Sequence, residues 1–157
     1  WVNLPAAQKM TEPHYQEFDQ ASIPQEVREG DVIVRVIAGE TSLGTRGPVV
    51  DLATPVTYLD ITLPAGCSFS ESLPDGYNAF VYLIEGEVTI DDGTLTAQSL
   101  AELGEGEAVE ITAASSSRLL LVAGEPLNEP IARRGPFVMN NEAELTQAFD
   151  DYQAGRF

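Results

Sequence analysis

The residues of this chain that could do chemistry are few and scattered. Its single histidine, His14, lies in a polar segment near the start of the sequence. Zinc and non-haem iron sites normally use two or three imidazoles, or a histidine pair with a carboxylate. We therefore interpret His14 as a solvated side chain or one that docks the N-terminal arm. The chain alone cannot supply a histidine-based metal site.

Carboxylates are abundant, and three of them lie close together in the segment LGEGEAVEI. Glu105, Glu107 and Glu110 could bind a hard cation only if their oxygens converged, and their spacing matches no calcium loop. The simpler interpretation is a turn followed by a strand whose glutamates face water. A cation site remains the alternative.

Hydroxyl and thiol nucleophiles are present without an evident base. A serine nucleophile needs an imidazole or a lysine within hydrogen-bond reach, so Ser115–Ser117 is predicted to be a polar loop. Cys67 has no cationic neighbour in sequence that would activate its thiol, and we predict a buried or half-buried small apolar side chain. One cysteine also excludes an internal disulfide.

The elements that would position these residues are mostly strands. Apolar and polar residues alternate in several runs between Gly30 and Gly124, and clusters of Gly, Pro and Asp separate the runs. About seven strands at this spacing are typical of an antiparallel sandwich or barrel. The predicted strands are Asp31–Ala38, Val56–Leu63, Phe80–Ile84, Thr94–Ala97, Ala108–Thr112 and Arg118–Ala123.

The C-terminal segment predicts one amphipathic helix. Asn141 is suited to cap its first turn, with Glu144 as the capping-box partner, and Gly155 can end it in a left-handed turn. The predicted apolar stripe consists of Leu145, Ala148, Phe149 and Tyr152, and the polar face of Glu142, Gln147 and Asp151. Such a helix must dock on an apolar surface.

The predicted organisation is one structural domain in three parts. Residues 1–25 form an extended arm or linker, residues 26–136 an antiparallel β-barrel, and residues 137–157 a C-terminal helix and tail. A first residue of Trp1 instead of methionine indicates a processed or truncated piece of a longer protein.

Composition and charge exclude several classes of partner. The chain has 43% hydrophobic residues and 25 acidic against eight basic residues, for a net charge of −17. This charge repels nucleic acid and anionic lipid surfaces. No segment approaches the ~20 consecutive apolar residues of a membrane helix. We expect a soluble cytoplasmic protein with neither a nucleic-acid nor a membrane partner.

Several motifs carry a resemblance to a known family. PLNEPIARRGPFVMN, followed by EAELTQAFDDYQAGRF, resembles the C-terminal signature of the pirins, a bicupin family. The similarity extends upstream through Gly44–Pro48, Tyr58–Asp60 and the segment PDGYNAFVYLIEG that ends at Gly86. WVNLPAAQKMTEPHYQ resembles the linker after the first cupin domain of the family. The whole chain thus resembles the second half of a pirin-like protein.

The resemblance implies a cupin-type barrel, that is a double-stranded β-helix or jelly roll, without a metal site. In pirins a metal, usually iron, is held in the N-terminal cupin by histidines and a glutamate from two motifs. Laid on this chain, the first motif's histidines fall near Ser72 and Pro74, and the second motif's ligands near Leu119 and Leu121. These side chains do not bind iron usefully. The chain is therefore expected to carry no catalytic, cofactor-binding or metal-binding residue.

The resemblance also implies that the two cupin domains of the complete protein have different roles. Iron or another divalent metal belongs in the missing N-terminal cupin, which is the expected partner of this domain. The complete protein resembles bacterial quercetin 2,3-dioxygenases, and some family members bind regulatory partner proteins such as transcription factors or metabolic enzymes. The leading hypothesis is a non-catalytic structural domain. The alternatives are an enzyme, at least as the complete protein, and a ligand-binding or protein-binding regulatory module.

Two smaller hypotheses concern aromatic residues. A ligand could contact Tyr77, Phe80 and Tyr82 in the mouth of the barrel, or these rings could fill the core. The helix stripe that includes Phe149 could tie the two halves of the complete protein together, or it could cover its own barrel.

Overall fold

The computed structural model describes residues 1–156, which fall into two compact units. The larger unit comprises Tyr15–Pro126 and is called the sheet unit below. The smaller one comprises Trp1–His14 together with the chain from Leu127 onward, and is called the terminal unit.

Ten strands of the described residues 1–156 lie in the sheet unit. In chain order they are β1 Gln25–Arg28, β2 Val32–Ala38, β3 Val56–Leu63, β4 Ser68–Ser72, β5 Asn78–Glu85, β6 Glu87–Ile90, β7 Gly93–Thr96, β8 Ser99–Glu102, β9 Ala108–Ala113 and β10 Ser117–Gly124. Short 3₁₀ turns, Gln20–Ser22 and Glu29–Asp31, flank β1.

These strands form two antiparallel sheets. The six-stranded sheet has the order β1-β2-β3-β10-β5-β8, and the four-stranded sheet has the order β4-β9-β6-β7. Strand β10 lies in the middle of the larger sheet and pairs with β3 on one side and β5 on the other. The all-β, antiparallel class predicted from the sequence is confirmed.

The core lies between the two sheets because each long strand alternates buried and less buried side chains. Strand β2 shows the pattern without interruption, with Val32, Val34 and Val36 fully buried. One cluster joins the inward-facing aliphatic side chains of both sheets. Burying such side chains is worth about 1.5–3 kcal/mol each, so this cluster is the main source of stability in the sheet unit.

A charged network lies at the edge of this core. The side chain of Glu71 on β4 is only 1% exposed, and its Oε2 atom is 2.6 Å from the Arg28 guanidinium. Its Oε1 atom accepts a hydrogen bond of 2.6 Å from the Ser42 amide. Arg28 also donates to Glu26 at 2.8 Å, and Thr41 donates to the same glutamate. The network joins β1, β4 and the loop after β2.

The terminal unit combines a short hairpin with the helix. Strands β11 Ala132–Arg134 and β12 Phe137–Met139 are paired, and helix α1 runs from Glu142 to Gln153. Leu145 and Ala148 of α1 form a small core with Met139, against which Phe137 packs. The predicted helix therefore packs on the hairpin formed by β11 and β12.

The caps of α1 follow the prediction. The Asn141 side chain accepts a hydrogen bond from the Glu144 amide at 3.0 Å, and Glu144 accepts one from the Asn141 side chain at 2.8 Å. Gly155 has a φ of +67° just after the helix. The Arg156 amide then bonds back to the Asp151 carbonyl at 2.9 Å. Both ends of the helix are thus fixed by the residues that the sequence indicated.

The two faces of α1 differ in part from the prediction. Asp151, expected to face water, is only 9% exposed. Its Oδ1 atom accepts hydrogen bonds of 2.9 Å from both Gln147 and the Nε atom of Arg156. Tyr152, expected in the apolar stripe, is 64% exposed. Asp151 can be buried because Arg156 balances its charge and Gln147 donates a further hydrogen bond, which helical spacing alone cannot indicate.

The N-terminal arm belongs to the terminal unit up to His14. The Ala6 amide donates a hydrogen bond of 2.8 Å to Glu129, and the Asn140 side chain donates to the same carboxylate at 3.0 Å. Thus Glu129 joins the arm to the chain just before the helix. The boundaries of residues 1–25, 26–136 and 137–157 stay a prediction. Among residues 1–156, no helix is both long enough and apolar enough to cross a bilayer.

Candidate functional site

The histidine lies apart from other potential ligands. His14 is exposed in the arm. Across residues 1–156, no three side chains among His, Cys, Asp and Glu are grouped so that they could hold a metal ion.

The three glutamates of LGEGEAVEI face water, as predicted. Glu105 and Glu107 lie in the loop between β8 and β9, Glu110 lies on β9, and all three are exposed. The strand alternates strictly, so Val109 and Ile111 enter the core while Glu110 points away from it.

Cys67 is half-buried against the core of the sheet unit, as predicted. Its thiol donates a hydrogen bond of 3.3 Å to the carbonyl of Gly30. A Cβ atom at Gly30 would lie only 2.8 Å from the sulfur. The cysteine therefore fills space beside a glycine and acts as a small packing residue.

The serine run is only partly the loop that was predicted. Ser117 begins β10 and is 2% exposed, with its hydroxyl donating to the Ser115 carbonyl at 2.8 Å. The Ser115 hydroxyl accepts from the Glu87 amide at 3.0 Å. These hydroxyls satisfy backbone groups at the junction of β6, β9 and β10, so they serve the fold.

The positions matched to the metal motifs hold no ligand set. Ser72 is exposed at the end of β4 and Pro74 is exposed beyond it. Leu119 and Leu121 on β10 are completely buried in the aliphatic core. Hydrocarbon side chains therefore occupy the interior at Leu119 and Leu121.

A cavity of about 460 Å³ lies in the sheet unit. Both sheets contribute to its lining, through β5 and β8 on one side and β6, β7 and β9 on the other. The apolar lining includes Leu73, Ile90, Leu95 and Leu103, which pack against the core. The acidic lining residues are Asp91, Glu102, Glu105 and Glu110.

Of the three aromatic residues considered from the sequence, only Tyr77 lines this cavity. Phe80 and Tyr82 are half-buried on the face of β5 opposite to the core residues Val81 and Leu83. Neither the ligand hypothesis nor the core hypothesis describes these two rings. The cavity itself was not located from sequence, although the run Leu103–Gly106, with two glycines beside an apolar residue, marks its rim.

The environment of Tyr77 shifts the pKa of its phenol. Burial raises the pKa of its phenol above the ordinary value, and the negative charge of Glu125 raises that pKa further. Since an unperturbed tyrosine titrates near pH 10, the Tyr77 hydroxyl stays protonated at neutral pH and can donate a hydrogen bond.

Comparison with known proteins gives a consistent result. The profile described as "Pirin C-terminal cupin domain" matches residues 58–157. A pirin-like protein of Caulobacter vibrioides is 48% identical over 157 residues, which is 100% of this chain and 57% of that protein. Human pirin is 42% identical over 159 residues, covering 98% of this chain and 54% of its own length.

A solved structure is also similar. The crystal structure of a quercetin 2,3-dioxygenase from Acinetobacter baumannii superposes with a TM-score of 0.92 at 36% identity, covering 100% of this chain and 55% of that one. The chain thus spans about half the length of the relatives that it matches.

Proposed function

The chain belongs to the pirin family, of which it contains the C-terminal cupin domain, and on this premise we propose that it is a structural domain without catalytic activity of its own. It supports a metal-binding N-terminal cupin in the complete protein. The observation that carries the proposal is the aliphatic core, which contains Leu119 and Leu121, two of the four positions matched to the metal motifs.

The residues present do not fit a metal ion. Leu119 and Leu121 are fully buried among other aliphatic side chains, and leucine has no donor atom. Ser72 and Pro74 supply at most one neutral oxygen, whereas iron sites draw on imidazole and carboxylate. We therefore derive no chemical step through a metal on this chain.

The complete protein is proposed to be a metal-dependent oxygenase acting on quercetin or a related flavonol. The similarity to the Acinetobacter baumannii quercetin 2,3-dioxygenase supports this, because the identity of 36% extends over all of this chain. This chain matches 55% of the length of that protein. We place the iron and the oxygen chemistry in the remaining part.

One experiment separates the structural role from a catalytic one. This chain, the unmatched N-terminal part of the Caulobacter vibrioides relative, and their mixture are loaded anaerobically with ferrous iron and desalted. We expect iron to stay with the N-terminal part and not with this chain. We also expect the mixture, but not this chain alone, to consume quercetin under oxygen.

The thermal midpoint of the N-terminal part provides the second readout. A domain that binds and supports a partner raises the partner's melting temperature by mass action, so the midpoint should rise when this chain is added. Near-stoichiometric iron on this chain would contradict the proposal, and so would an unchanged midpoint.

The alternative of a regulatory module also has an observation in its favour. Several large apolar side chains of the terminal unit are exposed, among them Trp1 at 92%, Met10 at 61% and Tyr152 at 64%. They give a protein partner apolar area to bury. A co-purified partner that competes with the N-terminal part for this chain would favour the regulatory role.

A further inference from the structure

The cavity of the sheet unit has the size of a small-molecule site, and part of its wall is apolar. Its volume of about 460 Å³ lies within the roughly 300–1,000 Å³ typical of ligand pockets. Leu73, Ile90, Leu95 and Leu103 are partly buried, pack against the core and line this space. An apolar group entering the cavity would therefore bury hydrocarbon surface against a wall fixed by the core.

The charges at the cavity have a single sign. Asp91, Glu102, Glu105 and Glu110 line it, and no lysine, arginine or histidine is among its lining residues. None of these four carboxylates forms an ion pair within the described part of the chain. Low-dielectric walls focus the field of such charges into a cleft. The cavity consequently attracts cations and repels anions.

Tyr77 adds a group that suits the same kind of ligand. It lines the cavity together with the apolar residues. Its ring can bind a cation over the face, and its protonated hydroxyl can orient a polar group.

We infer that this cavity binds a small molecule that joins an apolar, ring-sized body to a cationic group, in the class of protonated arylalkylamines. The body lies against the leucine and isoleucine wall, and the ammonium lies toward the carboxylates. The inference goes beyond the structural role proposed above and does not depend on it, since all of the lining residues belong to the sheet unit of this chain.

The test is a titration of the isotopically labelled chain with 2-phenylethylammonium, followed by amide NMR shifts. We expect saturable shifts centred on cavity residues such as Leu103 and Val109. Added salt should weaken the affinity because exposed charges are screened. The neutral analogue 2-phenylethanol should bind more weakly, and phenylacetate should not bind. Equal binding of all three compounds, or no saturable shift with the amine, would overturn the inference.

Charge variants identify the carboxylates. Asp91→Asn and Glu105→Gln, at lining residues that lie outside the strands, should each weaken amine binding about two- to fivefold, the range expected for one exposed charge. Glu87→Gln is the matched control, because Glu87 is an exposed residue of β6 that does not line the cavity. It removes the same net charge and should leave the affinity unchanged. An equal loss of affinity in Glu87→Gln would show that the effect comes from the overall charge, and it would contradict a specific site.

A cavity-filling variant tests the location without removing charge. Gly104 lines the cavity, and a Cβ atom there would meet nothing within 4 Å. Gly104→Phe should therefore abolish the amine-induced shifts while the far-ultraviolet circular dichroism stays that of the parent. Full retention of binding in a folded Gly104→Phe protein would place the ligand elsewhere. The charge variants decide the question if this variant does not fold.

Discussion

At the scale of single residues, the most consequential side chain is the buried glutamate of β4. Glu71 would be costly to bury alone, because a carboxylate loses its hydration in the protein interior. The Arg28 guanidinium and the Ser42 amide replace that hydration at 2.6 Å each. Arg28 in turn lies over the ring of Phe69, with its Cζ atom 4.9 Å from the ring centroid. One charge thus links β1, the loop after β2 and, through Arg28, the ring of Phe69.

Removing this carboxylate should destabilise the sheet unit. Glu71→Ala leaves the Ser42 amide and one side of Arg28 without their partner, which should lower the free energy of unfolding by about 3 kcal/mol. The measurement is urea unfolding monitored by circular dichroism. Glu40→Ala is the control, because the Glu40–Arg46 pair is exposed by 45% and 78% at its two side chains. It should cost less than about 1 kcal/mol, and equal losses in the two variants would refute the argument.

Asp151 makes the stability of the helix depend on pH. Hydrogen bonds from Arg156, and then from Gln147, hold the pKa of this carboxyl below its ordinary value. Its stabilising contribution is therefore complete above the unfolded-state pKa of about 3.9 and is lost as the pH falls through the folded-state pKa.

The pH effect can be measured with one substitution. Thermal melts of the parent and Asp151→Asn should differ at neutral pH, with the parent more stable, and should converge in acid. The exposed neighbour Asp150 provides the control, since Asp150→Asn removes the same charge and should not lower the melting temperature at neutral pH. A difference between parent and Asp151→Asn that persists unchanged into acid would show that the charge is not responsible.

At the scale of elements, the turn between β5 and β6 allows no side chain. Gly86 has a φ of +90°, and a Cβ atom there would overlap the Ser117 side chain and the Ser116 carbonyl. Gly76 also has a positive φ, +75°, but a Cβ atom at that position meets nothing within 4 Å. Substitutions at these two glycines therefore separate the cost of steric overlap from the cost of backbone strain.

This contrast predicts different losses of stability. Gly86→Ala combines backbone strain with overlap and should lower the free energy of unfolding by about 3 kcal/mol or more. Gly76→Ala carries only the left-handed backbone and should lose about 1 kcal/mol. Chemical denaturation of both variants is the measurement. Similar losses would mean that the chain can move Ser117 aside.

Strands with regular apolar alternation were found from the sequence, and the others were not. Strand β3 was predicted with its observed bounds, Val56–Leu63, because its aliphatic residues point inward at every second position. Strand β4 escaped prediction because one of its two inward residues is the charged Glu71. Strand β7 is an exception, because it was predicted as Thr94–Ala97 and lies at Gly93–Thr96 despite little apolar character. Strand β8 has four residues and was not predicted. Pairing with the longer β5 makes it a strand, and that partner is not visible locally.

The candidate cavity was even less predictable. Its lining comes from segments far apart in sequence, from Leu73 to Glu110. Their convergence is a property of how the two sheets meet. The sequence did indicate the exposure of Glu105 and Glu110 and the packing role of Cys67, but not the burial of Ser117 or Asp151.

At the scale of the whole molecule, the net charge of −17 should make stability depend on salt. Self-repulsion among carboxylates opposes the compact state, and dissolved ions screen it. We expect the melting temperature at neutral pH to rise as sodium chloride is added from low ionic strength. Potassium chloride at equal ionic strength should act equally, whereas a difference between the two salts would indicate specific ion binding instead of screening.

The contact between the Ala6 amide and Glu129, 123 residues apart, has a consequence for the order of events during synthesis. The arm leaves the ribosome before the sheet unit, but the residue that anchors it is translated only after all ten strands of that unit. At about 5–20 residues per second, the 123 intervening residues make the arm wait roughly 6–25 seconds for its anchor. Throughout that interval the arm lacks the hydrogen bond to Glu129 that holds it in the terminal unit.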